Sequence, residues 1–165
     1  MCAMCGGQSI GDFVADVVDD IRCVGWAVIA VEDERGRHVH TYTAGLTRYH
    51  GHPELIVSGA DFATAHHVLD TLAGAVRDGR PIGAGQVLGP EEVGRECMLV
   101  RVDDPSRLVL AQALYETGLG PVPALQVVWS DEAGRWPWEL CEHHRDGQEL
   151  LGQPWPPAGG RAVRG

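Results

Sequence analysis

The stretch from Trp26 to Ala44 narrows most sharply what this chain can fold into. Trp26 to Glu32 is rich in strand-forming residues, Glu34-Arg35-Gly36 is a turn, and His38 to Ala44 alternates again. This pattern predicts an antiparallel hairpin. On its second strand His38, His40, Tyr42 and Ala44 share one face, and Val39, Thr41 and Thr43 share the other.

The rest of the chain arranges itself around that hairpin. Ser9 and Asp12 resemble a capping box, after which Ile10, Phe13, Val14, Val17, Val18 and Ile21 recur at helical spacing until Gly25. They predict an amphipathic helix over 9–24. Arg48 to Pro53 reads as a loop into a short strand, Glu54 to Ser58, closed by Gly59. Asp61 can cap a second helix with the stripe Phe62, Ala65, His66, Leu69, Leu72, Ala73 and Val76, which puts His66 on its buried side. Residues 82–95 read as Gly-rich turns with at most a short strand, and Glu96 to Val102 as a strand. Asp104-Pro105 opens a third helix that Gly118 or Gly120 stops. Leu125 to Ser130 is another strand.

This order predicts an α+β fold: a mostly antiparallel sheet of five or six strands packed by about three helices. No regular βαβ alternation carries a Gly-rich phosphate loop, so a dinucleotide-binding fold is disfavoured. Residues 1–153 are expected to form one domain whose first eight residues are a Cys-x-x-Cys arm. The Pro/Gly/Arg-rich end, 154–165, reads as a disordered tail.

Charge removes several functions. With 13 Lys+Arg against 23 Asp+Glu among 165 residues, the chain carries a formal charge of −10. Tracking phosphates needs a cationic surface, so neither nucleic acid nor an anionic membrane is an expected partner. There is no Lys at all, which excludes Schiff-base and P-loop lysine chemistry. No apolar run is long enough to span a bilayer and the N-terminus lacks a signal-peptide layout, so a cytoplasmic location is expected. The five cysteines are then expected to be reduced, without a structural disulfide framework.

At His40-Thr41-Tyr42-Thr43-Ala44-Gly45-Leu46-Thr47, followed by Gly51-His52-Pro53-Glu54-Leu55 and Gly59, the sequence resembles the bacterial domain of unknown function 4262 family. The likeness extends to Cys2-x-x-Cys5, Gly25-Trp26, Asp103-Asp104-Pro105, and Leu125-Gln126-Val127-Val128-Trp129 with Asp131, Gly134 and Trp136-Pro137-Trp138. It implies a small soluble bacterial protein of a kind common in actinobacteria, and brings no reaction with it. Cys141-Glu142-His143-His144 departs from the pattern.

Three constellations have chemistry to offer. His40, His50, His52, Glu54, His66 and His67 cluster in sequence around the motif. Neutral imidazoles and a carboxylate suit a Zn or non-haem iron site, and a His–carboxylate pair can equally serve as general base and orienter. The alternative is structural: His40 and Tyr42 make buried hydrogen bonds, His52-Pro53 shapes a turn, Glu54 binds backbone or Arg48, and His66 is a satisfied core residue.

Cys2 and Cys5 have the spacing of half a Zn site, which Cys23, Cys141, His143 or His144 could complete. They can also be read as a redox dithiol or as inert. The third constellation is Trp136-Pro137-Trp138, which either lines a cleft or covers the sheet. Cys97 and Cys23 read as ordinary buried thiols.

Two classes of function follow. One is a small-molecule- or metal-binding domain whose pocket gathers His40, Tyr42, His52, Glu54 and His66, with metal-assisted catalysis as its extension and Zn as the candidate cofactor. The other is a non-catalytic interaction or regulatory protein of the immunity type, using its acidic surface and tryptophan edge on a protein partner. A homodimer is compatible with either.

Overall fold

The computed structural model describes residues 9–115, 117–141, 143 and 147–154. Helix α1 (Ile10–Cys23) starts where Ser9 accepts a hydrogen bond from the Asp12 amide, and it buries Val17 and Ile21. Strands β1 (Ala27–Glu32) and β2 (His38–Ala44) form the hairpin, with Ala27 opposite Ala44. Strand β3 (Glu54–Ser58) pairs antiparallel with β2, and helix α2 (Phe62–Arg77) follows at once, capped by Asp61. Strands β4 (Val87–Leu88) and β5 (Cys97–Arg101) flank the short helix α3 (Pro90–Val93). Helix α4 (Val109–Tyr115) and strand β6 (Ala124–Trp129) complete the set.

The six strands lie in the order β1-β2-β3-β6-β5-β4. Every neighbouring pair is antiparallel except β3 and β6, which run parallel. The protein is therefore α+β with a mostly antiparallel sheet, as its element order implies. Period-two alternation sends Leu55, Val57, Leu99, Leu125 and Val127 towards α2, while Tyr42, Ala44, Ile56 and Ala124 face α1 and α4. The sheet is thus covered on both faces.

Two glycines shape the open end of the hairpin, opposite its turn. Gly25 has φ +112° and Gly45 φ +125°, conformations that disfavour side chains. A Cβ on Gly45 would lie 2.9 Å from both the Gly25 carbonyl oxygen and the Trp26 Cα, and one on Gly25 would overlap the Tyr49 hydroxyl. Trp26 thereby reaches the α2 side, where its indole donates to Asp70 at 3.1 Å and Arg77 stacks over its ring.

Two local expectations change. The segment 82–95 contains a helical turn, α3, because Pro90 sits at its first position with Glu91 and Glu92 in the same turn. The third expected helix begins as a 3-10 turn at Pro105–Arg107, and regular α-helix starts only at Val109. Trp136-Pro137-Trp138 covers the sheet through a 3-10 turn, Pro137–Glu139, that stacks the two indoles 5.2 Å apart. They pack on Met98, Val100 and Val128.

Candidate ligand-binding site

The histidine and carboxylate residues singled out by sequence occupy four different places. Glu54 and His40 lie at opposite ends of the β2–β3 pair. Since His40 pairs with Ser58, four residues along β3 from Glu54, they are roughly 13 Å apart at ~3.3 Å per residue.

Glu54 is fully buried and organises the loop after β2. Its Oε2 accepts from the Thr43 hydroxyl at 2.7 Å, and its Oε1 accepts from the Gly45 amide at 2.9 Å and from the Thr47 amide and hydroxyl at 3.2 and 3.1 Å. Burial pushes its carboxyl above the ordinary range, and these hydrogen bonds pull against that rise.

His40 is buried beside the Tyr42 ring, at a centroid distance of 6.1 Å. Its Nε2 has no hydrogen-bond partner among the described residues. Burial, then the charges of Arg107 and His38, lower its pKa, with Glu149 acting in the opposite sense. Tyr42 accepts from the Leu110 amide at 3.1 Å and so ties β2 to α4. Burial raises the pKa of its phenol.

His52 serves the loop. Its Nδ1 faces the Pro53 carbonyl at 2.7 Å and its Nε2 the Ile82 carbonyl at 3.1 Å. His66 is exposed, edge-on to Phe62 at 5.6 Å, and not on the buried side of α2. The buried stripe runs Ala65, Val68, Leu69, Leu72, Ala73, Val76, which rotates Phe62 and His66 onto the helix flank.

Cys2, Cys5 and His144 lie outside the described residues, as do residues 155–165 of the expected tail. Cys141, His143 and Cys23 are exposed. Among the described residues no three His, Cys, Asp or Glu side chains gather in a way that could hold a metal.

A cavity of about 190 Å³ opens instead on the α2 face of the sheet. Val57, Ala65, Val68, Val93, Val127 and Trp129 form its apolar wall, and Cys97 contributes a thiol. Its position follows from topology. Strands β3 and β6 are the parallel pair, and the cavity lies at their carboxyl ends beside the first turns of the helix that leaves β3. In sheets with parallel strands this is where ligands tend to sit. Small side chains leave the space: Leu69 and Leu72 fill the layer deeper along α2, whereas Ala65 and Val68 do not reach as far.

Asp61, Thr64 and Arg95 stand at the polar part of the lining. Asp61 Oδ1 accepts from the Thr64 amide at 3.0 Å and Oδ2 from the Thr64 hydroxyl at 2.7 Å, which hold its carboxyl below the ordinary range. The Arg95 guanidinium stacks 5.5 Å from the centre of the Trp129 ring. Burial pushes the Cys97 thiol up to about 12, so it is protonated at neutral pH.

Sequence reasoning missed this site because its walls come from β3, α2, β5 and β6, which only the fold brings together. The single local sign was the run Gly59-Ala60-Asp61, with Ala65 one turn later, small residues at a strand-to-helix junction.

A second groove, about 470 Å³, lies on the opposite face, lined by Asp103, Asp104, Arg107, Trp138 and residues 150–154. Arg107 is already paired there with Glu149 at 2.9 Å.

The model of a family described as Domain of unknown function (DUF4262) matches residues 20–141. The chain belongs to this family. No curated protein and no solved structure gives a significant match. Every residue lining the α2-side cavity, from Val57 to Trp129, falls within the DUF4262 region, as do Gly25, Gly45 and Glu54. Among the described residues no helix is long and apolar enough to cross a membrane.

Proposed function

We propose that this DUF4262 chain is a small-molecule-binding domain and that its ligand occupies the cavity between α2 and the carboxyl ends of β3 and β6. The observation that carries the reading is a space of about 190 Å³, open to solvent on one side and lined mainly by valine, alanine and tryptophan side chains. Apolar cavities of roughly 150 Å³ take a benzene molecule, so this one suits a body the size of a single six-membered ring. The binding chemistry is hydrophobic burial inside and polar contacts outside, the usual division in ligand sites. His40, His52, Glu54 and His66 do not line it, and the contacts of His40, His52 and Glu54 fit roles in holding β2, β3 and the intervening loop.

Titration with 2-phenylethanol, followed by amide NMR shifts, tests this. A neutral ring of this size should bind with a Kd on the order of 1 mM, moving the amides of residues 57–68 and 127–129. Val68→Phe, which fills the cavity from its own wall, should abolish the shifts while the variant still melts cooperatively. Binding that persists in Val68→Phe, or shifts scattered away from these segments, would overturn the reading.

A further inference from the structure

The lining of the cavity is chemically uneven, and the unevenness selects a ligand. Its uncharged polar side chains are the protonated Cys97 thiol and the Thr64 hydroxyl, while two opposite charges, Asp61 and Arg95, stand in the same lining. These two do not form an ion pair with each other, and no carboxylate among the described residues pairs with Arg95. Arg95 instead lies over the Trp129 ring in a cation–π contact, and a guanidinium engaged through its face can still bond through its in-plane N–H donors. Asp61 has spent one hydrogen bond per oxygen on Thr64, and a carboxylate has about four acceptor positions.

A simple anion would satisfy Arg95 but would meet Asp61, with Glu96 adjoining Arg95 in sequence. A simple cation would meet the reverse problem at Arg95. A molecule carrying both charges side by side at one end of an apolar body satisfies both without adding net charge.

We infer that the cavity takes an apolar α-amino acid, its carboxylate on Arg95, its ammonium on Asp61, and its side chain among Val57, Val68, Val127 and Trp129. This rests on the cavity being the binding site, as proposed above. The ring-sized volume favours a phenylalanine- or leucine-sized side chain.

Calorimetric titration of the full chain with four probes separates the contributions: L-phenylalanine, 3-phenylpropanoate, 2-phenylethylamine and 2-phenylethanol. They carry both charges, the carboxylate alone, the ammonium alone, and neither. L-Phenylalanine should bind at least about 10-fold more tightly than each of the others, since a charge-assisted hydrogen bond is lost at each deletion. Arg95→Gln should bring L-phenylalanine down to the level of 2-phenylethylamine. Asp61→Asn, which keeps an acceptor for the helix cap, should bring it to the level of 3-phenylpropanoate.

If 2-phenylethanol or 3-phenylpropanoate binds the native protein as tightly as L-phenylalanine, the amino-acid assignment is wrong and the cavity reading stands. If none of the four binds, the cavity reading fails and the assignment with it.

Discussion

Thr43 donates its hydroxyl to Glu54 at 2.7 Å and with the same oxygen accepts from the Leu55 amide at 2.9 Å. One hydroxyl therefore links the end of β2 to the carboxylate and the backbone at the start of β3. Glu54→Ala removes the acceptor for the Gly45 and Thr47 amides as well, and a buried donor left unpaired costs about 1–3 kcal/mol. The expected loss is about 3 kcal/mol or more in chemical denaturation. Glu54→Gln keeps Oε1 and should cost about 1 kcal/mol.

The same residue sets a pH trend. Its carboxyl is raised from 4.5 on folding, so the folded state holds the proton more tightly than the unfolded chain. That contribution to stability is complete below pH 4.5 and is lost as pH rises from there through the folded pKa. The difference in unfolding free energy between native protein and Glu54→Gln should shift against the native protein over that interval. Parallel denaturation series at stepped pH would show it, and two curves of identical shape would contradict it.

His40 gives the opposite trend. Its pKa falls from 6.5 on folding, so the unfolded state takes up the proton first. Its contribution is complete above pH 6.5 and is lost as pH falls from 6.5 through the lowered folded value. His40→Leu should remove this part of the acid sensitivity, measured as the change in denaturation midpoint between pH 7 and pH 5.

Gly45→Ala is expected to be among the most damaging single-methyl changes in the chain. The added Cβ would stand 2.9 Å from two backbone atoms at φ +125°, combining overlap with a conformation that alanine rarely adopts. A loss of about 2 kcal/mol or more is expected. Gly36→Ala, at φ +71° with open space around it, should cost about 1 kcal/mol from conformation alone.

Cys97 should resist alkylation. With its thiol pushed up to about 12 and 1% exposed, only about 1 in 10,000 is thiolate at pH 8. Peptide mapping after iodoacetamide treatment of the native protein should find Cys23 and Cys141 modified and Cys97 intact. Modification of Cys97 at a comparable rate would mean that the wall of the cavity opens readily.

Local periodicity made most elements readable. The hairpin, the Ser9 and Asp61 caps and the strand Glu54–Ser58 all rest on patterns within a few residues. The helical turn at Pro90–Val93 was hidden because four residues are too few for a periodic signal. The placement of His66 went astray for a related reason: Phe62 and His66 are one turn apart and look like a stripe, yet the neighbouring stripe through Ala65, Val68 and Leu72 is the one that meets the sheet.

The site was far less legible. Clustering of His40, His52, Glu54 and His66 in sequence says nothing about convergence, since a five-residue strand separates its ends by well over 10 Å. The cavity depends on the parallel pairing of β3 with β6, 66 or more positions away in the chain, which no local pattern encodes.

The most direct test of the cavity is a crystal structure of the protein pressurised with xenon, whose atoms enter apolar spaces without any need for the correct ligand. A xenon site between Val57, Val68, Val127 and Trp129 is expected. A structure in which those side chains close upon one another and xenon is found only elsewhere would contradict it.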